Sequence, residues 1–352
     1  FTYLLLKGVN LGPEKLVEIF RGDLAESCHF GHLAISDNRG NLTNYWGNPD
    51  ETIYPRSSCK MIQALPLIES GSADHFNLGA KHLALACASH SGGITHLNVA
   101  KDWLGKLNLE MADLLCGSHK PDDIEELRYL KENGLRPTEL HNNCSGKHLG
   151  FLTISKKISG SKFDHKNYLD IDHPVQKMVK STFEEMTGCI DPKFALDGCS
   201  APNFCCSVRS LARSMAILAR PEGFGNVRKS AINRLQEAVL QNPHLIAGEN
   251  RLCTKLMKRS GGRFIVKVGA EGVYTAILLR EGLGLALKIS DGARRAAECL
   301  IVTILVRLGL LDQKDDEIKN ILRKPIINWA NHTTGILKAS DVIWKDGKPI
   351  KV

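Results

Sequence analysis

Arg263-Phe264-Ile265-Val266-Lys267-Val268-Gly269-Ala270-Glu271-Gly272-Val273-Tyr274-Thr275-Ala276-Ile277-Leu278-Leu279-Arg280-Glu281-Gly282-Leu283-Gly284-Leu285-Ala286-Leu287-Lys288-Ile289 is the stretch that decides the fold. Three runs rich in branched and apolar side chains, 263–268, 273–279 and 283–289, are joined by the short Gly-containing connections 269–272 and 280–282. That is the pattern of an antiparallel meander. Far upstream, Cys28–Ser36 and Leu42–Trp46 flank Asp37-Asn38-Arg39-Gly40-Asn41 and read as a hairpin. The long middle has helical spacing instead. Asp122–Asn133 opens on Pro121 and acidic residues, repeats apolar Ile124, Leu127 and Leu130, and closes on Asn133-Gly134. Val175–Met186 and Ala231–Leu240 show the same spacing, and Ala293–Leu311 predicts a late helix lying on the sheet. The plan is an α/β fold: an antiparallel sheet built from both chain ends, 1–60 and 261–352, with a mainly helical domain, 61–260, inserted between them.

At 352 residues the chain is long enough for about two domains. Subtracting 38 acidic from 46 basic residues leaves a net charge of +8. The basic residues are scattered, and no run carries the interleaved aromatics of a strand-binding surface, so nucleic acid is not an expected partner. The most apolar stretch, Ala296–Leu311, is broken by Glu298 and Arg307 and falls short of the roughly 20 residues a membrane span needs. The opening Phe1-Thr2-Tyr3-Leu4-Leu5-Leu6-Lys7 has no basic start and no small-residue cleavage site. Eleven cysteines are spread along the chain with no CxxC pair. Reduced thiols and a cytoplasmic location are the expectation.

Three short motifs could carry chemistry. In Arg56-Ser57-Ser58-Cys59-Lys60-Met61-Ile62, a helix starting at Ser57 puts Lys60 on the same face. A neutral lysine can deprotonate a serine, and helix N-terminal amides can hold an oxyanion. Lowering a lysine pKa by about three units costs roughly 4 kcal/mol, supplied by burial or a nearby cation. Alone, the motif reads first as a capping serine followed by a surface lysine. Ser89-His90-Ser91-Gly92-Gly93 is a hydroxyl-rich turn after the apolar 83–88 segment, and Lys267-Val268-Gly269 ends the first meander strand. The three together resemble, in order, the SxxK, serine-turn and K-T/S-G elements of serine β-lactamases and penicillin-binding proteins. Lys267 could supply the charge that depresses Lys60. In the last cluster, His141-Asn142-Asn143-Cys144-Ser145-Gly146-Lys147-His148 with Asp197-Gly198-Cys199-Ser200, the thiols and imidazole of Cys144, His148 and Cys199 are orthodox zinc ligands. The alternative is a plain turn and a buried cysteine.

These strings resemble the rhizobial-type (class 3) L-asparaginases, the asparaginase II family: Arg56-Ser57-Ser58-Cys59-Lys60, Cys87-Ala88-Ser89-His90-Ser91-Gly92, the HNNCSGKH string at 141–148, Asp197-Gly198-Cys199 and Gly269-Ala270-Glu271-Gly272. The resemblance implies a serine β-lactamase-like fold, a homodimer, and hydrolysis of L-asparagine to L-aspartate and ammonia. It implies two Ser-Lys pairs, Ser57 with Lys60 and Ser89 with Lys267. It also implies zinc held by Cys144, Lys147 and Cys199, with Arg56, His148, Asp197 and Cys253 lining the substrate pocket. Gly93, Ser200 and Val268 depart from the family pattern, where an acidic residue, a glycine and often a threonine are expected.

The mechanism that follows is acyl transfer: Lys60, kept neutral by Lys267, deprotonates Ser57; Ser57 attacks the side-chain amide; ammonia leaves; water cleaves the aspartyl ester. Which serine attacks is left open by the sequence. Rival readings are a serine glutaminase, since one methylene is worth only about 1–3 kcal/mol of discrimination, a β-lactam-recognising hydrolase, and a non-catalytic zinc-stapled binding protein.

Overall fold

The computed structural model describes residues 12–160 and 166–345; the Phe1–Lys7 opening lies outside them. Eight strands make the main sheet: β1 Glu14–Arg21, β2 Leu24–Asp37, β3 Leu42–Trp46, β4 Phe264–Val268, β5 Val273–Leu278, β6 Leu283–Ile289, β7 Arg323–Ile327 and β8 Thr333–Ala339. Their order is β7-β8-β1-β2-β6-β5-β4, with β3 paired to β2, and all pairings are antiparallel. The two ends of the chain meet where β2 pairs β6, with Leu33 opposite Leu287 and Ile35 opposite Leu285. The hairpin and the meander are where the sequence predicts them. It did not disclose β1 or the β7–β8 hairpin.

The helices that matter here are α1 Lys60–Glu69, α2 Ala80–Ala86, α3 Ile94–Leu107, α4 Ile124–Glu132, α5 Ser145–Ser159, α6 Pro174–Thr187, α7 Val208–Ala219, α8 Asn226–Gln241, α9 Leu252–Ser260 and α10 Arg294–Arg307. Strand β5 is buried at every position, so both faces of the sheet are covered; α7 and α10 both pack on it. Helix α1 is buried from Lys60 to Ile68 on all sides, which makes it the axis of the helical layer; α5, α6 and α8 pack around it. Asp123 caps α4 by accepting from the Glu126 N–H, and Pro174 starts α6 at a first-turn position. The result is the α/β plan expected from the sequence, an antiparallel sheet drawn from both chain ends with helices packed on it. Among the described residues no helix is long and apolar enough to cross a membrane.

Candidate active site

The short 3-10 turn Arg56–Cys59 leads into α1 and carries Lys60 inward at its first position. Lys60 is 1% exposed, Ser89 6% and Lys267 4%. Lys60 Nζ donates to the Ala88 carbonyl at 2.5 Å, to Ser89 Oγ at 3.1 Å, to the Asn143 carbonyl at 3.3 Å and to Cys144 Sγ at 3.1 Å. Lys267, near the end of β4, donates from Nζ to Ser89 Oγ at 2.7 Å and to the Val268 carbonyl at 3.1 Å. Ser89 therefore sits between two buried amines. The sequence places Ser57 beside Lys60; in the structure Ser57 is half-buried and, among the described residues, is not a hydrogen-bond partner of that amine. The Lys60 backbone N–H closes the 3-10 turn onto the Ser57 carbonyl, so the two residues stand one turn apart, while the Lys60 amine reaches Ser89.

Burial, then the charge of Lys60, pushes the Lys267 amine down to about 7. The sequence expectation had these roles the other way round, with Lys60 as the amine kept neutral.

Lys60 also joins Ser89 to a sulfur-rich cluster. Cys144 precedes α5 and Lys147 lies in its first turn, while Cys199 lies in the turn before the Pro202–Phe204 strand. Lys147 Nζ donates to Cys199 Sγ at 3.0 Å, and Cys144 Sγ lies 3.1 Å from Asn143 Oδ1. The hydrogen bond between the two thiols and the Lys147 ammonium, against burial, push Cys199 down to about 4; the same thiol pairing, with burial, pushes Cys144 up to about 12. Burial would lower Lys147, but the Cys199 and Cys144 sulfurs outweigh it and raise it. Two sulfurs and an amine converge here, and one sulfur is readily ionised. The residues present fit zinc.

His148 is fully buried. Its Nδ1 meets the Tyr168 hydroxyl at 2.7 Å, and that hydroxyl accepts from the Leu115 N–H at 2.9 Å. His148 Nε2 has no hydrogen-bond partner among the described residues. Burial, then Lys147, pushes the imidazole down to about 3, so it is neutral. Arg56 reaches Asp197 from Nη2 at 2.7 Å. Burial works against the Asp197 carboxylate, but Lys147 and Arg56 hold it below its usual range. Cys253 is buried with Sγ 3.0 Å from the Tyr274 hydroxyl.

The structure thus gathers Lys60, Ser89 and Lys267 in one contact set, Cys144, Lys147 and Cys199 in another, and Arg56 with Asp197 beside the second. Asn143, Ala88 and Tyr168 are members that sequence reasoning missed. Asn143 lay inside the 141–148 string, but Tyr168 carried no signal.

The family model for L-asparaginase II matches residues 17–339. The chain belongs to the L-asparaginase II family. As a member it is an amidohydrolase of the asparagine-hydrolysing kind, acting on a small molecule. Among curated proteins none matches. Among solved structures, this L-asparaginase II chain is similar to Mglu in its native form, at 13% identity over 84% of this chain and 68% of that one, with a TM-score of 0.44. It is also similar to a beta-lactamase from Mycobacterium bovis, at 13% identity over 80% of this chain and 95% of that one, with a TM-score of 0.37.

Proposed function

We propose that the protein hydrolyses L-asparagine to L-aspartate and ammonia by serine acyl transfer, with Ser89 as the attacking hydroxyl and Lys267 as its base. One observation carries this reading: the Ser89 hydroxyl lies 2.7 Å from a buried lysine pushed down to about 7 and 3.1 Å from a second lysine. An amine poised near neutrality is a competent base, and the neighbouring Lys60 charge opposes the proton on it and favours the alkoxide it creates.

Lys267 Nζ takes the Ser89 proton as Oγ bonds to the amide carbon. The C–N bond then breaks and the proton passes from Lys267 to the departing ammonia. Water, deprotonated by the same amine, cleaves the aspartyl ester and returns the proton to Ser89. Arg56 and His148 Nε2, which has no partner among the described residues, can meet polar groups of the substrate. Cys144, Lys147 and Cys199 would hold zinc, which supplies electrophilic anchoring of the substrate's polar groups. The protein is proposed to act as a cytoplasmic homodimer.

Ser57 remains the second reading, because it opens the SxxK string and is half-buried with its hydroxyl free of Lys60. The test is ammonia release by Ser89→Ala and Ser57→Ala, with mass spectrometry of the quenched enzyme. Ser89→Ala is expected to lose about a thousandfold or more in kcat and to show no aspartyl adduct. Retention of the adduct in Ser89→Ala and its loss in Ser57→Ala would move the nucleophile to Ser57.

A further inference from the structure

Ser91 and His96 are 6% and 4% exposed, yet Ser91 Oγ and His96 Nδ1 have no hydrogen-bond partner among the described residues. A buried polar atom left in this way costs about 1–3 kcal/mol. His96 Nε2 lies 3.2 Å from the His244 carbonyl and donates to it, which leaves Nδ1 as the ring's acceptor nitrogen; burial holds the ring below its usual range. Ser91 Oγ faces the bare Cα of Gly248, where φ is +120° and a Cβ would come within 2.4 Å of the hydroxyl.

Both residues line a cleft of about 300 Å³ beside the Ser89–Gly93 loop. Asp123 lines it too. Its Oδ1 caps α4 at 3.0 Å, while Oδ2 lies over Gly93, where it would sit 2.7 Å from a Cβ. Asp123 also acts electrostatically on His96. Arg251, whose Cγ would lie 3.7 Å from the same Gly248 Cβ that Ser91 Oγ approaches, pairs through Nη1 with Asp122 at 2.6 Å, and the Asp122 side chain is 58% exposed. The cleft therefore presents acceptors and a guanidinium to the same space.

We propose that this cleft is a second binding site, for a free α-amino acid: its ammonium group is held by Asp123, His96 Nδ1 and Ser91 Oγ, and its carboxylate by Arg251. The ligand's carboxylate takes the place of the exposed Asp122 on Arg251, so the ion pair is exchanged and not lost. The ammonium supplies the donors that His96 Nδ1 and Ser91 Oγ lack. The inference goes beyond the proposed reaction, since nothing in this site requires a side-chain amide.

Calorimetric titration of the full chain with L-alanine, which has no amide to hydrolyse, tests it. Saturable binding is expected, weakened at least about tenfold by Asp123→Asn and by Arg251→Gln and unchanged by Asp197→Asn. Asparagine keeps the cap on α4, and matching thermal unfolding of Asp123→Asn would show that the fold is intact. If that variant does not fold, Arg251→Gln decides alone. No saturable binding, loss confined to Asp197→Asn, or full retention in Arg251→Gln would each overturn the proposal. None of these outcomes depends on ammonia release, which tests the asparaginase reading separately.

Discussion

Lys267 is the residue on which the proposed chemistry turns, because a protonated amine cannot accept the Ser89 proton. With its pKa pushed down to about 7, kcat/KM is expected to fall below that pH with the loss of one deprotonated group. Replacing Lys60 by Met removes the second cause of the depression and leaves burial, so the acid limb should move to higher pH; an unmoved limb would exclude Lys60 from the coupling. Stability follows the same group with a definite sign. Unfolded lysine titrates near 10.4, so between about 7 and that value the unfolded chain binds more protons than the folded one. Stability contributed by Lys267 therefore rises with pH across that window, and a pH series of denaturant unfolding should show a smaller rise in Lys267→Met. Ser200 tells a separate story. It has φ +67°, a conformation that costs a residue with a Cβ roughly 1–2 kcal/mol. This gives a physical reason for the glycine expected after the Asp197-Gly198-Cys199 string. Ser200→Gly should raise the thermal midpoint by a gain of about 1 kcal/mol, and a lower midpoint would refute the strain.

Helix α5 brings the sulfur cluster to Ser89, and Gly146 sets how closely it can do so. A Cβ on Gly146 would lie 2.1 Å from the Leu85 carbonyl of α2, so the two helices cross almost backbone to backbone. That approach puts Asn143 and Cys144 within reach of Lys60, and the Ser145 hydroxyl 2.9 Å from His90 Nε2 on the Ser89 loop. Gly146→Ala should cost about 1–3 kcal/mol in thermal unfolding and lower turnover by moving Lys60; unchanged activity at an unchanged midpoint would show that the crossing yields freely. The elements that were readable from the sequence are those with a strong local signal: the meander at 263–289, the hairpin at 28–46, and helices such as α4, whose cap and apolar spacing agree. Strand β7, Arg323-Lys324-Pro325-Ile326-Ile327, was hidden because charge and proline at a sheet edge look like a loop. The site was legible as strings and not as partners. Lys60 and Lys267 could be named from SxxK and K-x-G, but their shared contact with Ser89 depends on tertiary packing that no spacing encodes.

At the scale of the whole molecule, the proposed reacting group exists only because distant parts of the chain close on one another: Lys267 comes from the C-terminal meander, Lys60 from the start of the first long helix, and Ser89 from a loop between helices. The closure is secured beyond the β2–β6 pairing. Strand β8 pairs β1 with Ala339 opposite Val17 and Leu337 opposite Ile19, and the Trp46 indole reaches the Val342 carbonyl at 3.4 Å while Arg307 stacks over the same ring at 5.2 Å. The C-terminal hairpin thus covers the edge of β1 and helps clamp α10 onto the sheet. A chain ended after Leu322 would leave β1 as an open edge whose Val17 and Ile19 are buried in the intact fold, a template for pairing with other chains. The expected outcome is a large drop in the soluble fraction and an earlier thermal transition, with ammonia release lost in the same step because β4 can no longer be held against α1. A truncated chain that stays soluble and unfolds at the full-length temperature would show that the helical layer and the six remaining strands hold Lys267 in place without the hairpin.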